Sequence, residues 1–91
     1  MSVRVQLPPL LRHALGGERW LQASGDSVAA VLRDLGDRHP ALALHLFDEQ
    51  GEVRQNIVCV HEGAVVRARE MASHGVRADE ELVLANALAG G

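Results

Sequence analysis

The terminal pair Gly90-Gly91 is the feature of this sequence whose residue types and position could support chemistry. It follows a patterned apolar strand at 81–85, and the intervening residues 86–89 are small or apolar. Residues 86–91 in extended form span at most about 20 Å, enough to carry a terminal carboxylate into the active site of another protein. Because glycine has no Cβ, its backbone fits a narrow channel and the carboxylate stays open to attack. The pattern predicts that the Gly91 carboxylate is itself the reactive group.

Other residue types that often support chemistry fit structural roles here. Cys59 lies in the predicted strand at 56–60, which is continuously apolar after Asn56, and a cysteine there usually acts as a small buried hydrophobe. As the single cysteine, it excludes an internal disulfide and fits a reducing compartment. The histidines, which show no metal-ligand spacing, are His13, His39, His45, His61 and His74. We therefore expect no metal site and no catalytic residue in this chain.

Length and composition narrow the class of protein. The chain has 91 residues and a mass of 9.8 kDa, the size of one small globular domain, too small for a deep catalytic cleft. An autonomous enzyme is therefore not expected. A net charge of −3, with nine basic residues that are all arginine and 2% aromatic residues, argues against nucleic-acid binding. The sequence shows neither a signal peptide nor a membrane-spanning run, which predicts a cytoplasmic protein without membrane association.

The first half of the sequence predicts two strands and a helix. Alternating polar and apolar residues at 2–7 predict a half-buried strand, and residues 18–23 predict its returning partner. Asp26 or Ser27 can cap the helix that follows. The apolar stripe of this helix consists of Val28, Val31, Leu32 and Leu35. Residues 41–47 predict either a further helical turn or an apolar lid on the core.

The second half predicts a central strand at 56–60, a short edge strand at 65–67 and a last strand at 81–85. One sheet of four to five strands with one main helix on one face is an α+β two-layer domain. We assign this domain to residues 1–86 and a flexible tail to residues 87–91. The tail residues expected to thread into a partner ahead of Gly91 are Ala87, Leu88, Ala89 and Gly90.

The outer face of the predicted sheet is a candidate docking surface. If Val58, Val60, Leu82 and Leu84 point to the core, the outward side chains are Ile57, Cys59, Val83 and Ala85. An apolar patch of this kind on a small domain indicates a site for a protein partner. A shift of one residue in the register would exchange the two faces.

Several segments resemble a known family. They are Leu7-Pro8, Leu10-Leu11-Arg12, Gly16-Gly17, Ala23-Ser24-Gly25-Asp26 and the end Ala87-Leu88-Ala89-Gly90-Gly91. Together they resemble the ThiS/MoaD family of ubiquitin-like β-grasp sulfur carriers, and within it the CysO-type carriers of cysteine biosynthesis. The similarity covers essentially the whole chain. Two positions depart from the family pattern, since Asn86 replaces a common proline and His61 replaces a common asparagine.

The resemblance implies a mechanism in which this chain is the substrate of partner enzymes. A ubiquitin-activating-type adenylyltransferase uses ATP to convert the Gly91 carboxylate to an acyl-adenylate, and a sulfur donor then displaces AMP to leave a thiocarboxylate. The resemblance implies no cofactor bound by this chain. Its implied partners are the adenylyltransferase, a sulfur-accepting enzyme such as a pyridoxal-phosphate sulfhydrylase, and a metallopeptidase that frees the product.

Three functions remain open at this point. The first is a sulfur carrier, with cysteine synthesis favoured over molybdopterin, thiamin or a thiosugar as the destination of the sulfur. The second is a protein modifier joined through Gly91 to lysines of other proteins. The third is a non-catalytic interaction module with an inert tail.

Overall fold

A computed structural model describes residues 2–86. The strands are β1 (Val3–Gln6), β2 (Trp20–Ala23), β3 (Ile57–His61), β4 (Ala64–Arg67) and β5 (Glu81–Asn86). The α-helices are α1 (Pro9–Arg12), α2 (Val28–Arg38) and α3 (Pro40–Leu46), and 3-10 helices occupy His13–Leu15 and Ala68–Ser73. The predicted tail at 87–91 lies outside the described residues, so the division of the chain at residue 86 stays a prediction.

The five strands form one mixed sheet in the order β2-β1-β5-β3-β4. Strands β1 and β5 are parallel neighbours at its centre, and the other neighbouring pairs are antiparallel. Helix α2 packs on one face, which confirms the predicted ubiquitin-like β-grasp layout. Residues 41–47, predicted as either a helical turn or an apolar lid, form most of helix α3 and are therefore helical up to Leu46. The connection between β1 and β2 and the segment that follows β4 both contain more helix than the sequence predicted.

Helix α2 forms where the sequence places a cap and an apolar stripe. The Ser27 hydroxyl accepts a hydrogen bond from the backbone N–H of Ala30 at 3.1 Å, which satisfies a free donor of the first turn. The stripe residues Val28, Val31, Leu32 and Leu35 are buried against the sheet and neighbouring elements. Helix α3 begins at Pro40, a residue favoured in the first helical turn because its missing N–H needs no partner there.

Strands β3 and β4 are joined by the tight turn Glu62-Gly63. His61 pairs with Ala64 on either side of this two-residue loop. Both loop residues have positive φ, 50° for Glu62 and 82° for Gly63. A turn with two positive φ angles matches the twist of antiparallel strands, and glycine adopts the conformation readily. The turn keeps Glu62 beside the end of β3.

The strand register corrects half of the predicted docking surface. Cys59 pairs with Leu84 and Val60 pairs with Val83, and side chains of paired residues project from the same face. Leu84 belongs to the core, so Cys59 and Ile57 also face inward and are 0% and 1% exposed. The prediction that Ile57 and Cys59 lie on the outer face was wrong, because the odd-numbered residues of β3 face the core and the even-numbered ones face outward. Val83 and Ala85 do lie on the outer face.

The Asp34 carboxylate ties helix α2 to the connection that precedes it. Its Oδ2 accepts hydrogen bonds from the backbone N–H of Ser24 and from Nε of Arg38, both at 2.8 Å. The Ser24 N–H, and then the Arg38 guanidinium, lower the pKa of Asp34 from its usual value of 3.8. A lowered folded-state pKa means that the carboxylate stabilises the fold above the unfolded pKa. This contribution is lost as pH falls through the folded-state pKa.

We therefore expect Asp34→Asn to lower the free energy of unfolding at pH 7 and to have a smaller effect in acid. Urea denaturation of both proteins at pH 7 and near pH 3 measures the difference, which should shrink at the lower pH. Asp37→Asn, at an exposed carboxylate of the same helix, is the control. A difference that is equal at both pH values would contradict the role given to this carboxylate.

Candidate functional site

The outer face of the sheet carries an apolar patch on three neighbouring strands. We call it the valine patch, and its residues are Val58 and Val60 of β3, Val65 of β4, and Val83 and Ala85 of β5. Val65 is 57% exposed and Val83 is 36% exposed. Both values are high for a large apolar side chain, and contiguous exposed apolar residues mark interaction surfaces. Sequence reasoning recovered Val83 and Ala85 but assigned Val58 and Val60 to the core.

Polar residues cover the other half of this face. Arg4 of β1 forms an ion pair with Glu81 at 2.7 Å, and its guanidinium lies 4.4 Å from the centre of the Trp20 ring. Gln6 and Gln22 complete this side, since the register places them beside Val83 and Arg4. An apolar centre with a polar margin is the usual anatomy of a protein interface.

Strand β5 connects the valine patch to the predicted tail. It lies in the middle of the sheet between β1 and β3, so the described part of the chain ends on the central strand. Ala85 pairs with Val58 of the patch, and β5 ends at the next residue, Asn86. A partner docked on the patch therefore stands next to the point where residues 87–91 begin. The residues Ala87, Leu88, Ala89, Gly90 and Gly91 themselves lie outside the described part of the chain.

Cys59 is shielded from chemistry on the core side of the sheet. Its side chain is 0% exposed, and burial raises the pKa of the thiol to about 12. A buried, protonated thiol is a poor nucleophile. We expect Ellman's reagent to label native protein far more slowly than protein unfolded in urea. Rapid labelling of the native protein, at the rate of a free thiol, would contradict this placement.

A second polar cluster lies where β3 ends and β5 begins. His61 is 7% exposed, with Nδ1 2.9 Å from Nε2 of His74 and Nε2 3.0 Å from Oε1 of Glu80. The same Glu80 oxygen accepts the backbone N–H of Arg77 at 2.6 Å. The Arg77 N–H, and then the His61 ring, lower the pKa of Glu80. The histidines that seemed scattered in the sequence are thus partly brought together.

Comparison with solved structures finds the same fold at full length. The chain is 28% identical over 98% of its length to 99% of the chain in the crystal structure of the Amycolatopsis orientalis BexX/CysO complex, with a TM-score of 0.79. It is 30% identical to small archaeal modifier protein 1 (SAMP1) from Methanosarcina acetivorans, over 99% of this chain and 96% of that one, with a TM-score of 0.78. The chain belongs to the ubiquitin-like sulfur-carrier and small-modifier family.

A crystal structure of SAMP1 from Haloferax volcanii extends this family relationship. It is 26% identical and covers 100% of both chains with a TM-score of 0.81. Among curated proteins, the sulfur carrier protein CysO of Mycobacterium tuberculosis and of Mycobacterium bovis is 38% identical over 48 residues. That match spans 53% of this chain and 52% of those proteins, about half of the length of each. No protein-family model matches the chain.

The family membership confirms the resemblance and the fold predicted from the sequence. Among the described residues, no helix is both long and apolar enough to cross a membrane. The predicted cytoplasmic location and the predicted roles of the site residues stay predictions.

Proposed function

We propose that this chain is a sulfur carrier whose Gly91 carboxylate is activated by adenylation and converted to a thiocarboxylate. The observation that carries the proposal is the similarity to CysO carriers, in sequence over half of the chain and in structure over 98% of it. The position of the valine patch also supports the proposal, because the patch includes residues of β5, the strand that precedes the predicted tail.

The proposed chemistry has two steps, and both take place on a partner enzyme. A carboxylate oxygen of Gly91 attacks the α-phosphorus of ATP, so that a C–O–P linkage forms and pyrophosphate leaves. A sulfide-level sulfur then attacks the acyl carbon and displaces AMP. The resulting thiocarboxylate is a strong sulfur nucleophile. ATP is bound by the adenylyltransferase, and this chain supplies the reacting carboxylate, the docking surface and no catalytic residue.

The valine patch supplies recognition in this proposal. Its apolar side chains are desolvated when the partner docks, and this favours association roughly in proportion to the apolar area buried. The ion pair between Arg4 and Glu81 at the margin gives orientation, because polar groups at an interface contribute more to specificity than to affinity. The tail residues Ala87 to Gly90 then extend into the active site of the partner.

The CysO relatives favour cysteine synthesis as the destination of the sulfur, with a pyridoxal-phosphate sulfhydrylase as acceptor and a metallopeptidase that releases the product. Sulfur transfer to molybdopterin, to the thiazole of thiamin or to a thiosugar would use the same terminal group. Acceptor assays with each enzyme class would separate these destinations.

We also propose a cytoplasmic location for this chain, which its single, unpaired cysteine fits.

The SAMP1 neighbours favour protein modification as a second candidate function. An acyl-adenylate at Gly91 can react with the amine of a lysine on another protein, although this chain has no lysine to receive one. Its last trypsin site is Arg77, so a tryptic digest of a conjugate would leave residues 78–91 attached to the modified lysine. Mass spectrometry of cell lysates for lysines carrying this remnant tests the second function.

Adenylation is common to both functions and can be tested first. The chain is incubated with ATP and the ubiquitin-activating-type adenylyltransferase of the same organism, and pyrophosphate release is followed. We expect release that depends on this chain and is lost when Gly91 is deleted. Release that is unchanged by the deletion would show that Gly91 is not the reacting group, and both functions would then fail.

A further inference from the structure

Three potential metal ligands converge at the end of the sheet opposite to Asn86. They are His61 at the end of β3, Glu62 in the turn that follows, and Glu80 directly before β5. One ligand atom from each lies within 4.8 Å of the other two. We propose that these three side chains bind a divalent transition metal of the zinc class. None of them belongs to the valine patch or to the tail, so this site is independent of the proposed carrier function.

His61 has the surroundings of a metal-binding histidine. It is 7% exposed, and its Nδ1 lies 2.9 Å from Nε2 of His74. A metal-ligating histidine usually donates a hydrogen bond from its second nitrogen, which fixes the ring. Without a metal, Nε2–H of His61 donates to Oε1 of Glu80 at 3.0 Å, and the His74 ring can donate to Nδ1. A divalent ion that takes the place of this proton is coordinated by Nε2 and Oε1 together, and Nδ1 then donates to His74.

The spacing and charge of the three groups suit zinc. Zinc binds imidazole nitrogen and carboxylate oxygen at about 2.0–2.2 Å, so its tetrahedral ligand atoms lie about 3.3 Å apart. The His61 to Glu80 distance is near this value, and Glu62, exposed in its turn, needs only a small side-chain movement to join them. One neutral imidazole and two carboxylates balance the charge of a divalent ion. Imidazole also favours zinc over magnesium or calcium.

The site is open to solvent through a cavity of about 550 Å³ that all three ligands line. Asp26 also lines this cavity. The backbone N–H of Arg77 donates to the same Oε1 of Glu80 at 2.6 Å, which holds this carboxylate beside His61. The Arg77 side chain also lines this cavity, and because the residue is exposed its guanidinium can turn toward solvent when the metal binds.

Titration of the full chain, free of any affinity tag and stripped with a chelator, tests the proposal. Isothermal calorimetry with zinc chloride should show one saturable site. Glu62→Gln should weaken zinc binding at least about tenfold, the scale seen when metal-site groups are altered. Because Glu62 is exposed in its turn, this variant keeps the fold, which the melting temperature checks. Glu52→Gln, at an exposed carboxylate of another turn, should bind zinc like the wild type.

The nitrogen spectrum of the His61 ring provides a second readout that binding at surface histidines would not change. We expect zinc to shift the Nε2 resonance of His61 while Nδ1 carries the proton of the ring. Equal zinc affinity in the wild type and in Glu62→Gln, an unchanged His61 ring, or no saturable binding at millimolar zinc would each overturn the proposal.

Discussion

Val83→Asp is expected to abolish productive docking of the adenylyltransferase while leaving the domain folded. Val83 lies at the centre of the valine patch on β5, paired with Val60 on one side and with Gln6 on the other. An aspartate there would be desolvated in the complex without a partner. Central interface residues typically contribute about 2 kcal/mol or more, so the KM for this chain should rise at least about 30-fold.

The matched control for this prediction is Leu44→Asp. Leu44 is also an exposed apolar residue, at 74%, but it lies in helix α3 on the opposite layer of the domain. It undergoes the same chemical change away from the proposed interface, so activation should be unaffected. Melting temperatures show whether either variant is misfolded. Normal activation of a folded Val83→Asp protein would mean that the partner docks elsewhere.

Leu32→Ala is expected to have the largest effect on stability. Leu32 lies in the middle of α2, is 0% exposed, and belongs to the apolar stripe that packs helix against sheet. Truncation of a fully buried leucine costs about 2–5 kcal/mol, from lost burial and from the cavity that is left. A small domain has only about 5–15 kcal/mol of total stability, so much of it would be lost. Urea denaturation measures the difference directly.

Leu44→Ala is the control for the stability prediction, because the same truncation takes place in a helix but at an exposed side chain. We expect a change within about 0.5 kcal/mol, the usual range for surface substitutions. Similar losses for Leu32→Ala and Leu44→Ala would contradict the packing of α2 against the sheet.

The helix and the strand positions were predictable because their signals are local. Ser27 and the stripe that follows define α2, and alternating residues define β1. The inward face of β5 was also predictable, since Leu82 and Leu84 alternate with less apolar residues. In β3, by contrast, all four residues at 57–60 are apolar, so composition gives no sign of which face is buried. Only the pairing of Cys59 with Leu84 determines it.

The cluster around His61 could not be predicted from spacing. His61, His74 and Glu80 are separated by a strand, a 3-10 helix and a loop, and the backbone pairing of β3 with β5 brings the ends of this segment together. The path between them depends on contacts such as the hydrogen bond from the Val28 N–H to the carbonyl of His74 at 2.9 Å. Such long-range contacts leave no periodic pattern in the sequence.

The intact mass of the chain after reaction with ATP, a sulfide source and the adenylyltransferase is the most direct test of the carrier function. We predict a mass gain equal to the exchange of one oxygen atom for one sulfur atom, absent when Gly91 is deleted. An active adenylyltransferase that consumes ATP with this chain but leaves its mass unchanged would contradict the sulfur-carrier function.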